Sequence, residues 1–323
     1  MTDIKLSQEV GNKNPRAMRD VYCESLIELA EKNEQIVALD ADLINAIGVK
    51  NFGKEFPQRL YDCGVQEANM MGVACGMSIQ GKIPFAHTFG PFATRRVADQ
   101  VFISGAYNRA NVKIIGSDPG ITAAYNGGTH MPFEDMGIMR GIPEMRVIEP
   151  SDNVQLKNLM PQIANTYGMF YVRMVRKDVN TVYDEGSTFE IGKAARLLEG
   201  SDLTIIASGY LVSKAVLAAY ELKKKGISAR VLDSFTWKPI DKEEIISAAK
   251  DTGAIVTCEN HNVINGLGSA VSEVLVQNYP VPVEMVGVKD EFGEVGPVSY
   301  LEERFKMRVS DIVEAADAVI KRK

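Results

Sequence analysis

The chain has 323 residues, 46% of them apolar and 24% charged, the make-up of a globular protein with room for two domains of ordinary size. A net charge of -6 and a pI near 5.3 leave no basic face for a nucleic acid, and no apolar run approaches the roughly 20 residues of a membrane span. Neither nucleic acid nor membrane is therefore expected as a partner. The first 15 residues have no apolar core and no cleavage pattern, which points to a cytoplasmic protein. Cys23, Cys63, Cys75 and Cys258 form no C-x-x-C pair and read as buried free thiols, not as zinc ligands.

Along the chain, short β-branched runs alternate with helical segments. After an N-terminal extension (1–15), a helix is predicted over 16–31 and buried strands over 36–39, 112–116 and 145–148. Helices are predicted over 67–79 and 153–167, and a strand over 170–175. Residues 177–192 are polar and lack periodicity. Beyond them the rhythm restarts, with strands over 203–207, 229–235 and 254–258 and helices over 212–225 and 242–251. The expected fold class is α/β, with two doubly wound domains at 16–180 and 193–323 and a linker at 181–192.

In such sheets, ligands bind beyond the carboxyl ends of the strands, so the loops that follow strands carry the information. Three constellations stand there. Gly64-Val65-Gln66-Glu67 opens an unusually apolar helix, placing a carboxylate at its first turn. Thr88-Phe89-Gly90-Pro91-Phe92 sets two aromatic rings three residues apart in a turn, as packing or as a pocket for a heterocycle. Asn126-Gly127-Gly128-Thr129-His130 places a titratable group on a glycine-rich loop.

In their order and approximate spacing, these constellations resemble the second half of the transketolase family. Gly64 to Met70 is similar to the family's Gly-x-x-Glu-x-x-Met, Thr88 to Phe92 to its Thr-Phe-x-x-Phe, and Asn126 to His130 to its Asp-Gly-x-Thr-His. Glu259 to Ala270 resembles its C-terminal signature. The resemblance implies a pyrimidine-binding domain followed by a transketolase C-terminal domain. It also implies thiamine diphosphate as cofactor and transfer of a two-carbon ketol unit from a ketose to an aldose. Glu67 would be the catalytic carboxylate that shares a proton with the pyrimidine ring, and His130 the proton partner of substrate hydroxyls. Phe89 and Phe92, with Arg95 adjoining, would surround the pyrimidine. Asp42 would reach the cofactor across an interface. Arg19 and Arg176 match positions that bind a substrate's anionic end, with Arg173 as helper and Asp118 and Asn126 beside the sugar.

One family feature is absent. The Gly-Asp-Gly segment that holds the cofactor's Mg²⁺ and diphosphate does not occur here. The resemblance therefore implies a partner chain that supplies it, an N-terminal transketolase subunit in an α₂β₂ assembly, with no metal held by this chain. Three departures point to an unusual ketose, branched or sulfonated. Asn126 replaces an aspartate, Asp118-Pro119-Gly120 stands where a histidine is common, and Ala46 lies near an expected serine. The alternatives are the β subunit of a 2-oxo acid dehydrogenase, which shares fold, length and glutamate, and a non-catalytic scaffold subunit.

Overall fold

A computed structural model describes residues 3–323. These residues build a seven-stranded sheet, a five-stranded sheet and a two-stranded ribbon. The first sheet runs in the order Thr236–Lys238, Arg146–Ile148, Phe170–Met174, Lys113–Ser117, Ile83–Phe89, Ile36–Asp40, Leu60–Asp62. Its last six strands are mutually parallel, and Thr236–Lys238 joins the edge antiparallel to Arg146–Ile148. The inner strands Ile36–Asp40, Lys113–Ser117 and Phe170–Met174 are buried along their whole length. That explains why they read as continuous apolar runs and not as alternating ones. The second sheet has the order Val283–Val288, Ile255–Asn262, Leu203–Ala207, Ala229–Asp233, Ala195–Leu198, with only the last strand antiparallel.

The predicted helix over 67–79 is present with those bounds, Glu67–Ile79. The first helix starts later than expected, at Met18, because Lys13–Ala17 is a strand paired antiparallel with Asp178–Asn180. Further bridges join Asp3 to Thr188 and Leu6 to Tyr183. The N-terminal extension thus runs beside the polar segment expected as a linker, a long-range pairing that no local pattern announces. The strand Thr236–Lys238 is a second departure. It belongs by sequence to the second unit but completes the first unit's sheet. No helix among the described residues is long and apolar enough to cross a membrane.

His87 lies on a central strand and is wholly buried. Its Nδ1 can only donate to the Leu39 carbonyl, 2.8 Å away, so its Nε2 accepts from the Tyr22 hydroxyl at 2.6 Å. Burial pushes its pKa from 6.5 down to about 4. The unfolded chain therefore takes up the proton first as pH falls, and stability is lost between 6.5 and about 4. Between about pH 7 and about pH 5, the urea midpoint of the parent should drop relative to that of His87→Gln, which cannot titrate. Equal losses in both proteins would remove His87 as the cause.

Candidate active site

The carboxyl ends of the first sheet's strands carry a connected set of side chains. The strand Leu60–Asp62 ends in a turn at Gly64, at φ +67°, and the next helix begins at Glu67. The Glu67 side chain is 4% exposed, and its Oε1 accepts from Arg96 Nη1 at 2.6 Å. The Arg96 guanidinium lies 3.8 Å from the centre of the Phe92 ring, a cation–π contact. Phe92 meets the His130 ring edge-on at 5.1 Å, and His130 meets Phe89 at 5.7 Å. Phe89 and Phe92 are 6.2 Å apart. The Arg176 guanidinium is 5.4 Å from the Phe89 ring, and its Nε lies 3.0 Å from Asp118 Oδ2. Glu67, both phenylalanines, His130, Arg176 and Asp118 therefore form one continuous chain of contacts through Arg96.

Local reasons place these groups. Pro91 at the start of the short helix Gly90–Ala93 fixes the turn that separates the two phenylalanines. Thr94 closes that turn by donating its hydroxyl to Gly90 O at 2.8 Å. His130 Nδ1 and the Thr129 hydroxyl are 2.9 Å apart. Asp118 is buried at φ +60°, and its Oδ2 also accepts from the Ser117 hydroxyl at 2.9 Å. It positions Arg176 and is not open to solvent. Asn126 is exposed. Asp42 is also exposed, at φ +62°, with its N–H donating to Asp62 Oδ1 at 2.9 Å.

The Arg19 and Arg176 segments meet where the Met18 N–H donates to Lys177 O at 3.0 Å. Arg19 Nη1 donates to Ala46 O at 3.0 Å, while its buried Nε has no hydrogen-bond partner and lies 3.8 Å from Asp20.

Two expected residues stand elsewhere. The guanidinium stacked on Phe92 is not that of Arg95. Arg95 pairs with Glu134 at 2.6 Å and donates to Thr129 O at 2.9 Å, while its neighbour Arg96 takes the place against Phe92. Consecutive residues in a tight turn point in different directions, and nothing in the motif distinguishes the two arginines. Arg173 is not a substrate ligand. It is fully buried and donates to Asp135 Oδ2, Glu149 Oε1, Pro132 O and Asn260 O, at 2.8, 2.8, 2.8 and 3.0 Å. Burial opposes its charge, but the two carboxylates outweigh that and hold its pKa above the usual arginine value.

Sequence reasoning also passed over Asp40, buried at the end of its strand, where its carboxylate accepts from the Leu43 N–H. Burial, aided by Asp62 and Asp42, pushes its pKa up to about 7. An aspartate that closes a strand with all other positions apolar was the available signal.

The helix Glu67–Ile79 buries Met70, Met71, Ala74 and Cys75 but leaves Ala68, Gly72, Gly76 and Ile79 exposed. One face of this apolar helix is thus buried within the chain, and the other is not. Beside it, the π-helical segment Gln100–Tyr107 exposes Phe102, Ile103 and Tyr107. An apolar face of this kind next to a candidate site marks an interaction surface. Among the described residues, no group of three or more His, Cys, Asp or Glu side chains is arranged to hold a metal ion.

Comparison with known proteins gives the same picture from another direction. Residues 14–181 match the family model of the transketolase pyrimidine-binding domain, and residues 192–312 match that of the transketolase C-terminal domain. The chain is 52% identical over 306 residues to the 6-deoxy-6-sulfo-D-fructose transketolase subunit SqwH of Clostridium sp. (strain MSTE9), covering 95% of each chain. It is 38% identical to one of the subunits of the apulose-4-phosphate transketolase of Phocaeicola vulgatus, covering 86% of this chain and 89% of that one. Among solved structures, a split-gene transketolase described as an inactive β4 tetramer superposes with a TM-score of 0.89 at 42% identity. That match covers 95% of this chain and 99% of that chain.

Removing the Arg173 side chain leaves Asp135 and Glu149 as uncompensated buried charges. Arg173→Leu should destabilise the chain by about 3–5 kcal/mol in urea unfolding, the scale of a broken buried ion pair. Stability within about 1 kcal/mol of the parent would show that the network is not needed.

Proposed function

This chain belongs to the transketolase family, and on that premise we propose that it is one half of a two-subunit, thiamine-diphosphate-dependent transketolase acting on a sulfonated ketose. The observation that carries the reading is the unbroken chain of contacts from Glu67 through Arg96, Phe92, His130 and Phe89 to Arg176. It sets a buried carboxylate, an apolar ring pocket, a titratable imidazole and a cation in the sequence a ketose-cleaving site needs.

The residues suit the cofactor's aminopyrimidine: two tilted phenylalanine rings offer apolar faces, and a buried carboxylate is joined to them through Arg96. When bound, thiamine diphosphate supplies an acidic carbon that adds to a carbonyl and an electron sink for cleavage of the adjacent bond. Glu67 would share a proton with the pyrimidine ring nitrogen. Phe89 and Phe92 orient the ring and exclude water. His130, half-buried at the mouth, exchanges protons with the sugar hydroxyls. Arg19 and Arg176 bind the sugar's anionic end. Asp42 is exposed and so free to reach a cofactor across an interface. The diphosphate and its Mg²⁺ belong to a partner that carries the missing Gly-Asp-Gly segment, seated against the exposed face of the helix Glu67–Ile79. An α₂β₂ heterotetramer satisfies these requirements.

Charge supports the sulfonate. Asp118 offsets much of the Arg176 charge, and part of the Arg19 fork is taken by Ala46 O. A sulfonate carries one negative charge, whereas a phosphate monoester carries about 1.5 to 2 at neutral pH. The weakened cationic pair suits the monoanion. The 52% identity to a sulfofructose transketolase subunit points the same way.

With the partner subunit and cofactor present, Glu67→Gln should cut turnover by about a hundredfold or more, the scale of a lost proton-transfer group. Activity above about a tenth of the parent's would remove Glu67 from the chemistry. On a donor panel, kcat/KM for 6-deoxy-6-sulfofructose should exceed that for fructose 6-phosphate and xylulose 5-phosphate. Asn126→Asp should shift the ranking toward the phosphates by about ten- to a hundredfold, the effect of one altered hydrogen bond in a site. A parent enzyme fastest on xylulose 5-phosphate would exclude the sulfonate. Calorimetry should find only weak thiamine diphosphate binding to the chain alone with Mg²⁺; micromolar affinity there would overturn the need for a partner.

A further inference from the structure

The loop between the strand Lys113–Ser117 and the helix Asp135–Arg140 carries Asp118, Asn126 and His130. Its backbone is unusual. Asp118, Gly120, Ala124 and Gly127 all have positive φ, at 60°, 48°, 48° and 74°. Alanine and aspartate rarely adopt that conformation, and it persists only where the surroundings enforce it. The enforcing groups come from the second domain. The buried Asn260 side chain accepts from the Ile121 N–H at Oδ1 and donates from Nδ2 to Pro119 O, each at 2.9 Å. It thereby brackets Gly120. A Cβ at Gly120 would lie 2.1 Å from Asn260 Oδ1. The far end of the loop is also held, by the Asn262 N–H donating to Phe133 O at 2.9 Å. Between these anchors Gly128 packs against the backbone of Gly293.

We propose that Asn260 is a positioning residue. Its amide, reaching across from the second domain, fixes the bend at Pro119–Ile121 and so sets where Asn126 and His130 stand and how Asp118 holds Arg176. An amide supplies an acceptor and a donor on adjacent atoms without a charge at any working pH. The inference rests on the reading of this loop as the substrate-facing wall.

The test is hydrogen exchange on the full chain, combined with kinetics on the complex with its partner subunit. In Asn260→Ala, amides over 119–131 should exchange about tenfold faster or more, while those of the strand Lys113–Ser117 stay protected. The donor KM should rise about tenfold or more, with a smaller change in kcat, because a misplaced wall weakens ground-state binding first. A contact that matters only for stability would lower the melting temperature and leave both loop exchange and KM at parent values, which would overturn the proposal. Asn260→Asp is the second arm. Its carboxyl can make both bonds only when protonated, so loop protection should approach the parent's at about pH 5 and be lost at about pH 8. A difference from the parent that does not change with pH would count against the two-bond geometry. Failures of the two readings are separable. A loosened loop in Asn260→Ala with a parent enzyme that cleaves no ketose would sink the functional reading and leave the positioning role standing. An unchanged loop in an enzyme that does cleave ketoses would sink the positioning role alone.

Discussion

The architecture turns on one buried cation. Arg173 is at the end of a central strand, sealed from water, with its guanidinium shared among Asp135, Glu149 and the carbonyls of Pro132 and Asn260. A bare charge at that depth would cost several kcal/mol, so the site exists only if all its acceptors are in place together. Those acceptors come from three stretches of chain, one of them in the second domain. The network spreads further: the Tyr171 hydroxyl donates to Asp135, and the Ser208 hydroxyl donates to Glu149 and accepts from the Trp237 indole. Two sheets that share no strand ladder are thereby held in a fixed relation.

That fixed relation makes the loop over 118–134 definite. Its left-handed residues would relax in isolation. The second domain prevents this from both ends and from behind, through Asn260, Asn262 and Gly293. The other wall of the site needs no such help. The phenylalanine turn is set by its own proline and threonine, and the Glu67 helix by the turn at Gly64. One wall is locally encoded and the other is held by long-range contacts, so a change at the domain junction acts on the His130 loop before it acts on the Glu67 and phenylalanine turns.

The site is open on one side. Past Glu67, the helix and the Gln100–Tyr107 segment turn apolar side chains to solvent. A candidate site that ends in an exposed apolar face is shaped for assembly. The split organisation of its relatives agrees with that shape.

The sequence determined the parts whose cause is local. Apolar runs of strand length specify buried parallel strands, and glycine, proline and glutamate at fixed spacing specify the turn-and-helix starts that present Glu67, Phe89 and Phe92. His130 was legible for the same reason, as a titratable group on a glycine-rich loop after a strand. Which arginine does what was not legible. Arg95 and Arg96 are adjacent, yet one pairs with Glu134 and the other with Glu67. Arg173 and Arg176 are three apart, yet one is a structural core cation and the other faces the site. The pairing of the N-terminal strand with residues near 180, the edge strand lent by the second domain and the grip of Asn260 were equally silent. Each depends on where a side chain or strand meets a partner far away in the chain, or on which way a turn rotates it. Only the closed tertiary structure, in which buried charges and backbone groups must all find partners at once, decides between those outcomes.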